Sequence, residues 1–275
     1  MNSKIPKRII QVWGQGEDNL TPFGKAAVVN AKLLNPDFEY LFFDDYRIDT
    51  FIIEYFPEYR KMFDSFRFRI QRYDFFRYLA IYHFGGFYFD IDVFLYKNLS
   101  DLLKYDCIFT FERIGINKYT KKKYNMHWDV GNFAFGAVPG HPFIQAIIEN
   151  CVRAQKDPEW VNIMLKSIPW MFRKDAYVIC TTGPGIVTRT YAENPDLRCL
   201  VKILMPEDIY DRKNWSQFGN YGIDLSCYET QSAWRKKKRN IFYRKIWNYW
   251  YSKTDNKNIK LAQRDKKALM PSKSI

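Results

Sequence analysis

Residues 74–92 read Asp74-Phe-Phe-Arg77-Tyr78-Leu-Ala-Ile-Tyr-His83-Phe-Gly85-Gly86-Phe-Tyr-Phe-Asp90-Ile91-Asp92. An amphipathic helix runs into a Gly-Gly pair, and a short apolar strand then delivers two aspartates one isoleucine apart. Alternation along a strand predicts Asp90 and Asp92 on one face and Ile91 on the other. Two neighbouring carboxylates repel unless a positive group sits between or beside them. A hard divalent cation, Mn²⁺ or Mg²⁺, answers that need, and such ions are commonly held by one or two carboxylates together with substrate phosphates. The plain alternative is a solvated strand end.

The residues ahead of the glycines sharpen the pattern. Asp74, Arg77 and Tyr78 fall at i, i+3 and i+4, hence on one helix face. Gly85 or Gly86 can take the left-handed conformation that closes a helix, after which the chain turns straight into the strand. That turn brings an acid and a guanidinium up to the Asp90/Asp92 pair. An ordinary surface ion pair between Asp74 and Arg77 is the competing reading.

Around this block the chain alternates strand and helix. Arg8 to Trp13 reads as a strand between Pro6 and Gly14. Thr21-Pro22 opens a helix running toward Asn35, with the threonine as N-cap and the proline at the first helical position. Tyr40 to Phe43 is a second strand, followed by helices around Arg47 to Tyr55 and Phe68 to His83. Cys107 to Phe111 and Phe133 to Val138 read as strands, and Pro142 to Ala154 and Pro158 to Arg173 as helices. Such alternation predicts a layered α/β domain with a mainly parallel sheet flanked by helices. Ligands bind these sheets at the carboxyl ends of the strands, where Trp13 and Asp90 to Asp92 fall. Lys118 to Lys123 reads as a basic surface loop, and His83, His127 and His141 lack metal-ligand spacing.

The 74–92 segment resembles the sugar-binding region with a DXD motif of family 32 glycosyltransferases, relatives of initiating mannosyltransferases and capsule-synthesis enzymes. It more distantly resembles the glucosylating domain of large clostridial toxins. Four further pieces agree in type and order: Ile5-Pro-Lys-Arg-Ile-Ile-Gln-Val-Trp13-Gly, Asn132-Phe-Ala-Phe-Gly-Ala-Val-Pro-Gly-His-Pro142, Thr182-Gly-Pro-Gly185 and Glu229-Thr-Gln-Ser232-Ala-Trp234. The resemblance implies the GT-A nucleotide-diphospho-sugar transferase fold. It also implies a retaining, metal-dependent transfer of a hexose from a nucleotide-diphospho-sugar, a UDP-sugar foremost, to a saccharide or lipid-linked oligosaccharide acceptor in capsule, lipopolysaccharide or other glycan assembly.

Roles follow from the same resemblance. Trp13, with Val12 beside it, matches the residue that stacks on the nucleotide base. Asp74 and Arg77 match the pair that grips the sugar hydroxyls and the diphosphate side. Asp90 matches the aspartate that contacts ribose and sugar, and Asp92 the one that ligates the metal. Asn132 matches a residue near sugar and acceptor, and Gly183 shapes a nearby turn. Glu229, Ser232 and Trp234 match a loop that closes over the diphosphate, with Glu229 and Ser232 as further metal ligands. Many relatives carry a histidine in this loop, where Cys227 and Tyr228 stand here. Asp90, Asp92, Asp74 and Arg77 form the expected catalytic set. A toxin-like protein glycosyltransferase and a non-catalytic nucleotide-sugar binding protein are the alternatives.

Composition bounds the rest. The 275 residues show no linker or repeat and no run of transmembrane length, and the N-terminus lacks a signal-peptide core. Five cysteines, odd in number and without a Cys-x-x-Cys pair, argue for free thiols in a reducing compartment. The net charge is +13, and residues 235–275 hold fourteen Lys/Arg against two Asp. A near-neutral body over 1–234 therefore carries a basic tail over 235–275. Arg235 to Tyr251 interleaves cations with Phe242, Ile246, Trp247 and Trp250, the materials of a helix lying on an anionic membrane surface. Packing of that face on the body is the rival, and nucleic-acid binding ranks behind both because no nucleic-acid module accompanies it. The expected location is cytoplasmic, peripheral on the inner face of the membrane.

Overall fold

Residues 4–115, 117–225 and 255–269 are described in a computed structural model of the chain. The strands are β1 (Arg8–Val12), β2 (Glu39–Phe43), β3 (Gly86–Phe89), β4 (Val93–Leu95), β5 (Cys107–Ile114), β6 (Trp128–Ala137), β7 (Lys202–Leu204), β8 (Gln217–Phe218) and β9 (Gly222–Asp224). Six of them form one sheet in the order β2-β1-β3-β6-β5-β7. β6 runs antiparallel to both of its neighbours, and the other five strands point one way. The mainly parallel sheet expected from the sequence is present. Its central strands, β3 and β6, are buried throughout, as near-continuous apolar runs covered on both faces should be.

The helices are α1 (Pro22–Leu34), α2 (Asp45–Tyr55), α3 (Arg60–Ser65), α4 (Arg69–Phe84), α5 (Lys118–Tyr124), α6 (Pro142–Lys156), α7 (Pro158–Leu165), α8 (Arg173–Thr181), α9 (Pro184–Glu193), α10 (Pro195–Arg198) and α11 (Asp255–Leu269). Their starts follow capping chemistry. Thr21 Oγ1 accepts the Gly24 N–H, Asp44 Oδ1 that of Arg47, and His141 Nδ1 that of Phe143. The main core lies between the sheet and α4, α6 and α9, and is rich in Phe and Tyr. Each fully buried Phe there contributes roughly 1.5–3 kcal/mol.

Three local expectations change. The 158–173 stretch is not one helix: α7 ends at Leu165, and a short 3-10 turn at Trp170–Phe172 precedes α8. Pro169 supplies no N–H and biases Ile168 away from helical geometry, so the chain breaks there. The basic 118–123 segment is a helix rather than a loop, because Asn117 caps it by accepting the Tyr119 N–H. A second, three-stranded sheet, β4-β9-β8, has no counterpart in the sequence reading.

α11 packs on the body and seats Ile259 and Ala262 in the main core. Residues 226–254 and 270–275 lie outside the described part, and with them Glu229, Ser232, Trp234 and the amphipathic stretch 235–251. Among the described cysteines, Cys107, Cys151 and Cys180 are buried free thiols and Cys199 an exposed one. No helix among the described residues is long and apolar enough to cross a membrane.

Candidate active site

The parallel strands bring their carboxyl ends to one sheet edge, and the candidate residues collect there. β1 delivers Val12 and Trp13, β3 delivers Asp90, and β6, running the other way, carries Asn132 alongside. The Asp90 N–H donates to the Phe133 carbonyl at 2.8 Å, so β3 pairing extends one residue past the strand. There the chain departs from the expected alternation. Val93 N donates to Asp90 O at 3.1 Å, and Asp90-Ile91-Asp92-Val93 is a turn rather than a strand end. The cause is topological: the chain must leave the main sheet to begin β4 in the second one. Ile91 faces a small apolar cluster shared with Trp13, Leu20, Val28 and Phe42. Trp13 thereby sits beside the turn, half-buried, with its Nε1 donating to Asn19 O at 3.3 Å.

α4 supplies the other half. It closes at Gly85, whose φ of 65° and ψ of −173° lie outside the left-handed helical well, in a region essentially restricted to glycine. A Cβ at Gly85 would also meet Pro139 Cδ at 2.6 Å. The tight exit lays α4 against β3. Arg77 Nη2 then lies 2.8 Å from Asp74 Oδ1, and Nη1 lies 3.1 Å from Asp90 Oδ1 and donates to Asn132 O at 2.9 Å. The guanidinium also covers the Tyr88 ring at 4.6 Å. The helix-face expectation holds, and a surface ion pair does not describe it: Asp74 and Arg77 are each 4% exposed.

Thr182, Tyr78, Asn132 and Tyr88 complete the cluster through their side chains. Thr182 Oγ1 donates to Asp74 Oδ2 at 3.0 Å, Tyr78 Oη donates to Thr182 O at 2.8 Å, and Asn132 Nδ2 donates to Tyr78 Oη at 2.9 Å. Tyr88 Oη donates to Asp90 Oδ1 at 2.6 Å. Gly183 follows Thr182 as the N-cap of α9, so the Gly-Pro turn fixes the threonine that holds Asp74. Gln71 Nε2 reinforces the junction by donating to Thr181 Oγ1 at 2.8 Å. Tyr88 and Thr182 were not among the expected residues. Tyr88 was findable, because it precedes Asp90 by two and shares its strand face, whereas Thr182 lies 108 residues from Asp74.

Electrostatics in this cluster are tense. Burial pushes the Asp74 carboxyl up to about 6, against the opposing pull of Arg77 and Thr182. Burial works against the Arg77 charge too, but Asp90, Tyr88 and Asp74 together outweigh it and raise its pKa. One N–H of Arg77, Nε, has no partner among the described residues, an unspent donor in a buried site. Beside Tyr73, the residue before Asp74, opens a cavity of about 210 Å³ lined by Asp45, Asp49, Arg69, Arg72 and Tyr73. Tyr73 Oη donates to Asp45 Oδ1 at 2.9 Å. Gly14, next to Trp13, leaves room for both, since a Cβ there would fall 1.9 Å from Tyr73 Oη.

Among the described residues no group of three or more His, Cys, Asp or Glu side chains could hold a metal ion. The donors at the turn, Asp90 and Asp92, are oxygen ligands that suit a hard cation completed by phosphates, not an all-protein cage. The donor set fits Mn²⁺ or Mg²⁺ in kind. The histidines play other parts: His83 packs on Tyr55 at 4.1 Å, His141 caps α6, and His127 lies between Asn125 and Asn258.

An α/β domain with a buried arginine clamped by acids at the carboxyl edge, next to an Asp-x-Asp turn, has the layout of a protein that handles phosphate-bearing sugar donors. The sequence pattern described as the glycosyltransferase sugar-binding region containing DXD motif matches residues 25–109. An uncharacterized glycosyltransferase of Acanthamoeba polyphaga mimivirus is 31% identical over 214 residues, 76% of each chain. The chain belongs to this DXD-motif glycosyltransferase family. Inositol phosphoceramide mannosyltransferase 2 of Schizosaccharomyces pombe is 32% identical over 169 residues, 60% of this chain and 44% of that protein. A mannosyl phosphorylinositol ceramide synthase of Saccharomyces cerevisiae is 30% identical over 67% of this chain and 43% of its own. The chain thus spans under half the length of these two fungal relatives. Among solved structures, the PaToxG glycosyltransferase covers 71% of this chain and 72% of its own at 16% identity, with a TM-score of 0.48. The UDP-bound glycosyltransferase domain of the YGT toxin covers 74% of this chain and 80% of its own at 10% identity, with a TM-score of 0.44.

Proposed function

We propose that the chain is a retaining glycosyltransferase that moves a hexose from a nucleotide-diphospho-sugar to a lipid-borne or saccharide acceptor at the carboxyl edge of its sheet. The observation that carries this reading is the buried Asp74–Arg77–Asp90 constellation, set one turn from Asp92 in a chain of the DXD family. The names of two relatives, both enzymes of inositol phosphoceramide mannosylation, favour mannose and a phosphate-bearing membrane lipid over a capsule acceptor.

Each residue has a part the geometry supports. Arg77 is fixed at three points, so the charge it would offer a neighbouring phosphate is held in place and needs no reorganisation when the diphosphate leaves. Asp74, held by Arg77 and Thr182, accepts hydrogen bonds from sugar hydroxyls in its ionised form. Asp90, braced by Tyr88 and Arg77, faces ribose and sugar. Val12 and Trp13 border the nucleoside. Asn132 and Gly183 set the sugar side. Asp92 would hold the divalent ion, with Glu229 and Ser232 as further ligands. When bound, that ion supplies Lewis-acid stabilisation of the departing nucleoside diphosphate. Asp90 and Asp92 share one turn and do not flank a glycosidic bond from opposite sides, so the two-carboxylate geometry of a hydrolase is absent from this pair.

The test is a panel of UDP- and GDP-hexoses, scored by release of nucleoside diphosphate with Mn²⁺ and with chelator. Release that needs one donor and the metal supports the reading. Failure of every donor to bind would leave a family member without the activity.

A further inference from the structure

Beyond the catalytic cluster, the carboxyl edge carries a surface of a different kind. The connection from β5 to β6 leaves the sheet at this edge, since β5 runs parallel to β3. Its helix, α5, has four lysines and no acid. α11 lies next to it: His127 Nδ1 and Asn258 Oδ1 are 3.2 Å apart, and Lys121 and Arg264 both act on that imidazole from the two helices. α11 adds five cations against two aspartates. Among the described residues, Lys118 and Lys122 of α5 and Lys260 and Lys267 of α11 are exposed and make no ion pair.

The second observation is apolar. Ser167 Oγ donates to Asn117 Oδ1 at 3.0 Å, which fixes the turn between α7 and α8 against the start of α5. That turn projects Trp170, 77% exposed, and Met171, 38% exposed, while Arg173 and Lys174 follow as exposed cations. Ile163 of α7 adds a third exposed apolar side chain, 46% exposed. A solvated charge run accounts for lysines, but not for a tryptophan and a methionine held out into water beside them. An indole next to a dense cationic face suits one environment well, the headgroup region of an anionic bilayer, where the ring sits at the polar boundary and cations meet lipid phosphates and carboxylates.

We propose that α5, α11 and the Trp170–Met171 turn form a membrane-contact surface that seats the carboxyl edge on an anionic leaflet. This rests on the lipid-acceptor reading above only for its purpose; the surface itself is argued from charge, exposure and topology. It needs no residue of the 235–251 stretch.

The experiment is sedimentation of the full chain with phosphatidylcholine vesicles, with and without about a third phosphatidylserine. The unmodified protein should partition at least about tenfold more strongly onto the anionic vesicles, and salt should weaken that preference. Lys118→Glu/Lys122→Glu should reduce anionic binding by about tenfold or more, while thermal melting stays unchanged because both side chains are solvated. Trp170→Ala should cost severalfold, and its loss should persist at high salt, since an apolar contact is not screened. Anionic-vesicle binding left intact by all three substitutions together would overturn the proposal and assign attachment to other residues. Absence of vesicle binding, with a single-stranded oligonucleotide bound through the same lysines, would overturn it in favour of nucleic acid. Donor hydrolysis by the unmodified protein is measured in parallel: hydrolysis without vesicle binding sinks this surface alone, and vesicle binding without hydrolysis sinks only the enzymatic reading.

Discussion

Along β6, the stretch from Asn132 to Trp128 joins two parts of one sheet edge that are held by opposite means. At the inner end, Arg77, Asp74, Tyr78 and Asn132 are buried and joined to one another at 2.8–2.9 Å, with Arg77 Nε left over. At the outer end, α5 and the Trp170 turn expose like charges and apolar side chains, Lys118, Lys122 and Trp170 among them. A buried ionic cluster is stable only as a set, and removing one member strands the others. An exposed cationic face has little to lose internally, so substitutions there act on what it meets. Under the two proposals above, the inner part orients the donor and the outer part places the whole molecule, so each should be open to perturbation alone.

The largest effect falls on the inner part. Arg77→Ala leaves the Asp74 and Asp90 carboxylates facing each other in a poorly hydrated site and should cost about 3–5 kcal/mol of stability by denaturant titration. Arg77→Lys keeps the charge but cannot reach Asp74, Asp90 and the Asn132 carbonyl with one fork, so it should restore folding more than turnover. If the lysine variant turns over donor at the normal rate, the forked geometry has no role.

Next in size is Asp92→Asn. The turn lies at the edge of the main sheet and Asp92 is half-buried, so melting should hold while donor turnover falls by about two to three orders of magnitude. A smaller, two-sided effect belongs to Asp74. Its pKa rises from 3.8 to about 6 on folding, so the folded chain holds that proton more tightly than the unfolded one. The associated stability is full below about pH 4 and is lost as pH rises through about 6, while activity should rise over the same window as the ionised form appears. Asp74→Asn should remove that stability term. Thr182→Val should move the acid limb of activity to higher pH, because Thr182 favours the ionised carboxyl, and should cost about 1–3 kcal/mol. An unmoved limb would show that Asp74 is not the titrating group. Trp234→Ala, in the loop read as closing over the diphosphate, should raise donor KM severalfold with the fold intact.

The inner part was largely legible in the sequence, because local rules govern it. The i, i+3, i+4 spacing put Asp74, Arg77 and Tyr78 on one face, and the Gly-Gly pair turned the chain onto the strand. Two details resisted. Asp90 to Asp92 forms a turn because β4 starts a separate sheet, and nothing in residues 86–95 announces a change of partner. Thr182 reaches Asp74 across more than a hundred residues, a contact made by tertiary packing of α8 on α4. The outer part was less legible. Its lysines read as a loop because no apolar period marks α5, and the charge of the tail hid the Ile259/Ala262 pair, three residues apart, that docks α11.

The most direct test of the central claim is release of nucleoside diphosphate from a hexose donor by the full chain and by Asp92→Asn, each with Mn²⁺ and with chelator. If the carboxyl-edge cluster is the active site, the unmodified chain with metal releases product, chelation stops it, and the Asn variant stays near the chelated rate even with metal. Equal release by both proteins, with or without chelator, would place the chemistry elsewhere and contradict the account.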